Sequence, residues 1–275
     1  MLCGGEEGIR ALAAGHRRLS AYSPLAHALA LSLRRACIGS RTKGRLTAFQ
    51  NQLIDALPAR ARASLLALCE QVELTLSEVL CNPGERMRHV YFPLDGFISL
   101  VAVTGDSPGI EVGMIGFEGM LGASLALGVK TVPLRALVQG AGSAWRMDAA
   151  AFAVELGRSP ALKRNVDRYL YVLMGQHAAS AVCLRFHLIV PRLARWLLMS
   201  QDRAHSPRFH ITHEFLAYML GVRRVGITNA ATVLQRSGLI AYRRGELQVL
   251  DRPGLEAAAC GCYAADCKVY ADLLG

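Results

Sequence analysis

The stretch ITHEFLAYMLGVRRVGITNAATVLQRSGLI, residues 211–240, decides how this chain is read. Thr212 is a residue type that caps helix N-termini, and Phe215, Leu216, Met219 and Leu220 follow on one helical face. Gly221 falls where a tight turn between two helices needs an unusual backbone angle. A second helix then sets Ile227, Ala230, Ala231 and Leu234 inward. Arg223, Arg224, Thr228 and Asn229 are left facing outward near its N-terminal half, the half of a recognition helix that meets base edges in the major groove. A plain helical hairpin with a solvated arginine pair has the same spacing. The next segment, LIAYRRGELQVL (239–250), favours the first reading. It predicts strands over Leu239–Tyr242 and Glu246–Leu250 around an Arg243-Arg244-Gly245 turn. A hairpin with a basic tip directly after a helix-turn-helix is a wing, and its arginines belong near a nucleic-acid backbone rather than on base edges.

The charge distribution agrees. The chain has 275 residues and a net charge of +10. Residues 185–252 carry +7, residues 1–45 carry +6, and the middle, 46–184, is close to neutral at −1. A neutral input unit joined to a basic nucleic-acid binder gives that contrast; a uniformly basic enzyme does not. No run of 18 residues is both apolar and uncharged, so no membrane contact is expected. The eight cysteines lack the spacing of a secreted disulfide scaffold, and a reducing cytoplasm is the expected compartment.

Residues 1–45, rich in Ala, Arg and Leu, read as a basic, poorly ordered extension. A helix is predicted through Asn51–Glu70. Short apolar runs then alternate with Gly, Pro, Asn and Asp: VELTLSEVLCNPGE (72–85), HVYFPLDGFISLVAV (89–103), GIEVGMIGF (109–117), RALVQGAG (135–142) and SAWRMD (143–148). Such turn-separated strands predict an antiparallel barrel or sandwich, with Pro83-Gly84 and Asp95-Gly96 as turns. Helical spacing returns from Ala149. Leu162, Val166, Leu170, Leu173 and His177 form a stripe read as a coiled dimer seam, with intramolecular core as the other possibility. Residues 188–202 predict a further amphipathic helix leading into the basic unit.

In this order the segments resemble the Crp/Fnr family of bacterial transcription regulators, over residues 50–260. The most specific parts are PRLARWLLMSQDR (191–203), residues 211–240 and RRGELQVLDRPGLE (243–256), with CNPGE (81–85) and VYFPLDGFIS (90–99) similar to the family's roll. The resemblance implies an α+β fold: an N-terminal antiparallel β-roll of the cyclic-nucleotide-binding type (46–158), a long dimerisation helix (159–184), a C-terminal winged helix-turn-helix (185–257) and a Cys-containing tail (258–275). It implies a homodimer on a two-fold site in double-stranded DNA, with RNA polymerase as a further partner if the regulator activates. By position, Arg224 suits guanine O6 and N7, Val225 a thymine methyl and Asn229 adenine N6 and N7. Thr228 suits a phosphate or a base; Arg223, His213 with its neighbour Thr212, and the wing's Arg243 and Arg244 suit phosphates.

The effector region departs from the family pattern. Where nucleotide-binding members carry Gly-Glu and then Arg-Ser, this chain has Glu118-Gly119 and Leu134-Arg135. A cyclic phosphate needs a guanidinium and further donors aimed at one spot, so loss of the usual phosphate contacts is expected and no cofactor is assigned. Cys260, Cys262 and Cys267 have a spacing that suits a metal or a redox pair; no nearby fourth ligand is obvious, with Cys183 or Cys3 as candidates from elsewhere in the chain, and the three are read as buried, inert thiols. No phosphate-binding loop, nucleophile elbow or catalytic carboxylate pair is present, so an enzyme is not expected. The alternative reading is a small-molecule or redox-sensing module whose basic lobe needs an effector or is vestigial.

Overall fold

A computed structural model describes residues 50–105 and 109–274; the basic extension lies outside the described residues. The helix predicted through Asn51–Glu70 is two short helices, α1 (Gln52–Asp55) and α2 (Ala59–Leu66). Pro58 separates them, because it has no N–H to continue the first and its fixed φ starts the second. Asn51 caps α1 and donates from its amide to the carbonyls of Pro93 (3.0 Å) and Gly119 (2.8 Å), which ties the segment to the roll.

The roll comprises β1 (Glu70–Leu74), β2 (Val79–Cys81), β3 (His89–Ala102), β4 (Ile110–Ile115) and β5 (Arg135–Asp148). All pairings are antiparallel, in the order β1-β5-β3-β4, with β2 on the other half of β5. Two predicted turns are absent. Asp95-Gly96 is a bend within β3, and RALVQGAG runs straight into SAWRMD as one strand. The glycines there serve close backbone approach. A Cβ on Gly96 would lie 2.4 Å from the Gly140 carbonyl oxygen, and one on Gly142 would lie 2.2 Å from that of Asp95. Asp95 closes the bend by accepting from the Ser143 amide (2.7 Å) and hydroxyl (2.6 Å).

Helix α3 (Ala149–Arg158), capped by Asp148, leads to α4 (Pro160–Phe186), capped by Ser159 with Pro160 in its first turn. The 27 residues of α4 span about 40 Å. The stripe read as a dimer seam faces its own roll. Leu162 and Val166 are buried in a cluster with Phe92, Met120 and Phe152, Leu170 and Leu173 pack against that cluster, and His177 Nδ1 lies 3.1 Å from the Val112 carbonyl oxygen. The bare face of α4 is the opposite one. Tyr171 (65 %), Met174 (69 %), Val182 (49 %) and Phe186 (72 %) are exposed there, interleaved with Gly175, Ala178 and Ala181.

After an extended His187 come α5 (Ile189–Ala204), β6 (Arg208–His210), α6 (His213–Leu220), α7 (Arg224–Arg236), β7 (Ile240–Arg243), β8 (Glu246–Val249), α8 (Arg252–Ala258) and α9 (Cys262–Leu274). The tail is therefore mostly helix: α9 folds back along α4, where Gln176 donates to the Tyr270 hydroxyl (3.4 Å). One apolar cluster joins Phe97 and Met114 of the roll to Leu193, Trp196 and Leu197 of α5 and to Ile227, Ala230 and Leu234 of α7. The two units thus share a core.

Candidate nucleic-acid interface

The helix-turn-helix is built as the spacing requires. Thr212 caps α6, its hydroxyl accepting from the Phe215 amide at 3.1 Å. Gly221 ends α6 at φ +60°, a left-handed angle that glycine takes without strain, and its amide donates to the Tyr218 carbonyl at 3.2 Å. Arg192, buried in α5, donates to the Leu220 carbonyl and satisfies another group at that helix end. Ile227, Ala230, Ala231 and Leu234 are buried along α7.

The opposite face of α7 is open. Arg223, Arg224, Val225, Thr228 and Asn229 are exposed within its first turns, with Val225 at 62 %. An exposed valine beside two arginines gains nothing in the free protein, whereas a thymine methyl in the major groove would cover it. The Thr228 hydroxyl donates to the Arg224 carbonyl at 3.2 Å, leaving its lone pairs to accept.

His213, expected at a phosphate, has partners within the protein. Its Nδ1 lies 3.1 Å from the Thr228 hydroxyl, and its ring stacks on Tyr242 with centroids 4.5 Å apart and planes 11° from parallel. Burial, and then the nearby Arg224 charge, push its pKa down, which favours the neutral ring. His213 therefore braces α6 against α7 and the wing. Tyr242 completes the brace by donating to the Ile211 carbonyl at 2.6 Å; sequence reading missed this role, because a tyrosine in a predicted strand carries no signal of it.

The wing is a sheet of three strands in the order β6-β8-β7. Arg243 and Arg244 are exposed at its tip, Arg244 at φ +54° and Gly245 at φ +86°, the left-handed pair of a tight hairpin. The third strand, β6, was not anticipated, since RFH is short and follows Ser206-Pro207.

The residues expected around an effector have partners within the protein. Leu134 packs on the roll core, while Arg135 Nε donates to Asn82 Oδ1 at 3.2 Å. Gly119 sits beneath Tyr169, where a Cβ would lie 2.3 Å from the hydroxyl. Glu118 turns toward α5 and forms a buried ion pair with Arg203, with nitrogens at 2.7 and 2.8 Å. A cleft lies alongside, lined by Phe117, Glu118, Arg203, Tyr263 and Tyr270.

A winged helix-turn-helix with an open basic face, mounted on a roll and a long helix, defines a DNA-binding regulatory protein. Residues 191–258 match the Crp-like helix-turn-helix domain. No curated protein sequence matches the chain. Among solved structures, FixK2 from Bradyrhizobium japonicum is 13 % identical and superposes with a TM-score of 0.59 over 70 % of this chain and 98 % of that one. The c-di-GMP responsive global regulator CLP of Xanthomonas campestris is 16 % identical, with a TM-score of 0.57 over 70 % and 100 %. A CRP-family transcriptional regulator from Thermus thermophilus, TTHB099, is 22 % identical, with a TM-score of 0.56 over 68 % and 96 %. Residues 191–258 thus form a Crp-like helix-turn-helix domain, a DNA-binding module, and the chain shares its fold with Crp/Fnr-type regulators. Among the described residues no helix is long and apolar enough to cross a membrane.

Proposed function

We propose that this regulator works as a homodimer on a two-fold site in double-stranded DNA, with an input that does not use the cyclic-phosphate contacts of nucleotide-binding relatives. The observation that carries the DNA reading is the exposed row Arg223, Arg224, Val225, Thr228 and Asn229 on α7, backed by a fully buried inner face. Arg224 reads guanine, Val225 a thymine methyl and Asn229 adenine, while Arg223 and the wing's Arg243 and Arg244 hold phosphates. Thr212 and Thr228 lie at the rim of this face, where their hydroxyls reach the backbone. The second copy pairs along the bare face of α4, through Tyr171, Met174, Val182 and Phe186; the small residues between them let two helices approach closely. If the regulator activates, RNA polymerase is its further partner.

Selection from a randomised double-stranded DNA pool at near-physiological salt tests this. An enriched inverted repeat with half-site centres about 34–36 Å apart supports a dimeric reader. Enrichment of a single, non-repeated half-site refutes the two-fold arrangement. The absence of any enrichment, with or without cell extract as a source of effector, refutes sequence-specific reading.

A further inference from the structure

We propose that Cys183, His187, Cys260 and Cys262 form a tetrahedral zinc site that fastens the end of the long helix to the link between the last two helices. Cys183 and His187 are four residues apart on the last turn of α4 and its cap, hence on one face. Cys260 and Cys262 flank Gly261 between α8 and α9, and the Cys260 amide donates to the Pro191 carbonyl at 3.3 Å, which holds that link against the start of α5. The four side chains come from points 77 residues apart, yet their ligand atoms all lie within 4.8 Å of one another.

The two closest ligand separations are those of a single ion's shell, and the rest lie within 4.8 Å. A zinc ion bound at about 2.3 Å to sulfur and about 2.0 Å to nitrogen separates its ligands by about 3.5–3.8 Å along each tetrahedral edge. Cys183 and Cys260 sulfurs are 3.5 Å apart, and Cys262 sulfur is 3.6 Å from His187 Nδ1. An iron–sulfur cluster spreads its ligands over two or more irons and needs a wider cage. The three thiols are buried, at 3 %, 8 % and 8 % exposure, and His187 is partly so.

The surroundings carry compensating charge. Three thiolates on a doubly charged ion leave one net negative charge, and the guanidinium groups of Arg192 and Arg195 both act on Cys183 and Cys260 to balance it. Cys267, which the sequence groups with Cys260 and Cys262, stands apart and lines the cleft beside Glu118. In its place come Cys183, which the sequence offered as a distant candidate, and His187, which it did not. The site bridges the α4–α5 junction, so the ion fixes how the DNA-binding unit sits on the helix.

The test is metal analysis of the full chain, purified on a tag without histidines and without chelators. About one zinc per chain is expected, unchanged in Cys69→Ser and lost in Cys260→Ser, Cys262→Ser and His187→Ala. Because a variant can also fail to fold, wild-type protein stripped of metal is titrated with Co²⁺. Intense visible ligand-field bands and a thiolate charge-transfer band, saturating at equal stoichiometry, support the site. Four results overturn it: folded wild-type protein free of metal, zinc retained in all three ligand variants, a Cys183–Cys260 disulfide on mass mapping, or iron with the absorption of an iron–sulfur cluster.

Discussion

Met174→Glu tests the pairing face of α4. Met174 is 69 % exposed in the single chain, with Tyr171 at 65 %, Phe186 at 72 % and Val182 at 49 % along the same side. Fully burying a side chain of this size is worth about 1.5–3 kcal/mol, so covering the exposed half to two-thirds of each returns about 1–2 kcal/mol. Over the four side chains of both copies the gross gain is about 8–16 kcal/mol, against an association cost estimated at about 4–15 kcal/mol. The margin is narrow, and a single position matters. Two-fold symmetry places each substitution twice: the methionine burial is lost on both copies, about 2–4 kcal/mol, and two carboxylates then enter one apolar strip. A loss of about 3 kcal/mol or more weakens the dimer by roughly a hundredfold. Sedimentation equilibrium across a concentration series reads this directly, with circular dichroism to verify the fold. Leu173→Glu is the contrast: it strikes the intramolecular packing against the roll and should unfold the chain rather than give folded monomers. A Met174→Glu dimer as tight as wild type would place the second copy on another surface.

Three further outcomes follow from named groups. Arg224→Ala should cost about 1–3 kcal/mol of specific binding and relax preference at one base pair; an equal loss on every sequence in a competition assay would make Arg224 a phosphate contact instead. Replacing Arg243 and Arg244 together by alanine should weaken all sequences alike, and the slope of log K against log salt should flatten by about 0.9 for each phosphate no longer neutralised; an unaltered slope would remove the wing from the backbone. Glu111 accepts from Ser99 (2.5 Å) and Trp196 (3.0 Å), and burial pushes its carboxyl up to about 7 from an ordinary 4.5. The folded chain then holds more protons than the unfolded chain between those values, so unfolding free energy falls as pH rises through that window, by at most about 3 kcal/mol. Glu111→Gln should flatten that slope in urea titrations at pH 5 and pH 8, and an identical slope would exonerate Glu111.

The helix-turn-helix was legible because three local signals agree there: a threonine cap, a three-four apolar spacing and a glycine at a left-handed angle. The roll was legible as strands but not in its connections. Gly96, Gly140 and Gly142 have the composition of turns, and only the paired strands reveal that they let two backbones cross. Helix α4 misled for a different reason. It is apolar on two sides, and a period cannot say which side meets the same chain. The stripe starting at Leu162 met its own roll; the one starting at Tyr171 was left bare. Partners far apart in sequence, such as Glu118 with Arg203 or Cys183 with Cys260, leave no periodic trace at all.

Several long-range partners converge on β4 and the loop after it. Glu111 accepts from Trp196 of α5, the Val112 carbonyl meets His177 of α4, and the Met114 amide donates to Gln176 of α4 at 3.2 Å. Gly113 lacks the Cβ that would lie 2.7 Å from Gln176 Oε1, so that glutamine can approach the strand. At the strand's start, Ile110 lies under the helix-turn-helix itself: a Cβ on Gly221 would be 2.4 Å from its Cδ1. Just beyond the strand's end, Glu118 holds Arg203. One strand thus touches the long helix, the helix leading to the DNA-binding unit and the turn before the recognition helix. Packed contacts of this kind shift between discrete arrangements rather than stretching. A displacement of β4 beyond the tolerance of these bonds must therefore either carry α5 and α6 with it or break the Glu111, Gln176 and Arg203 bonds.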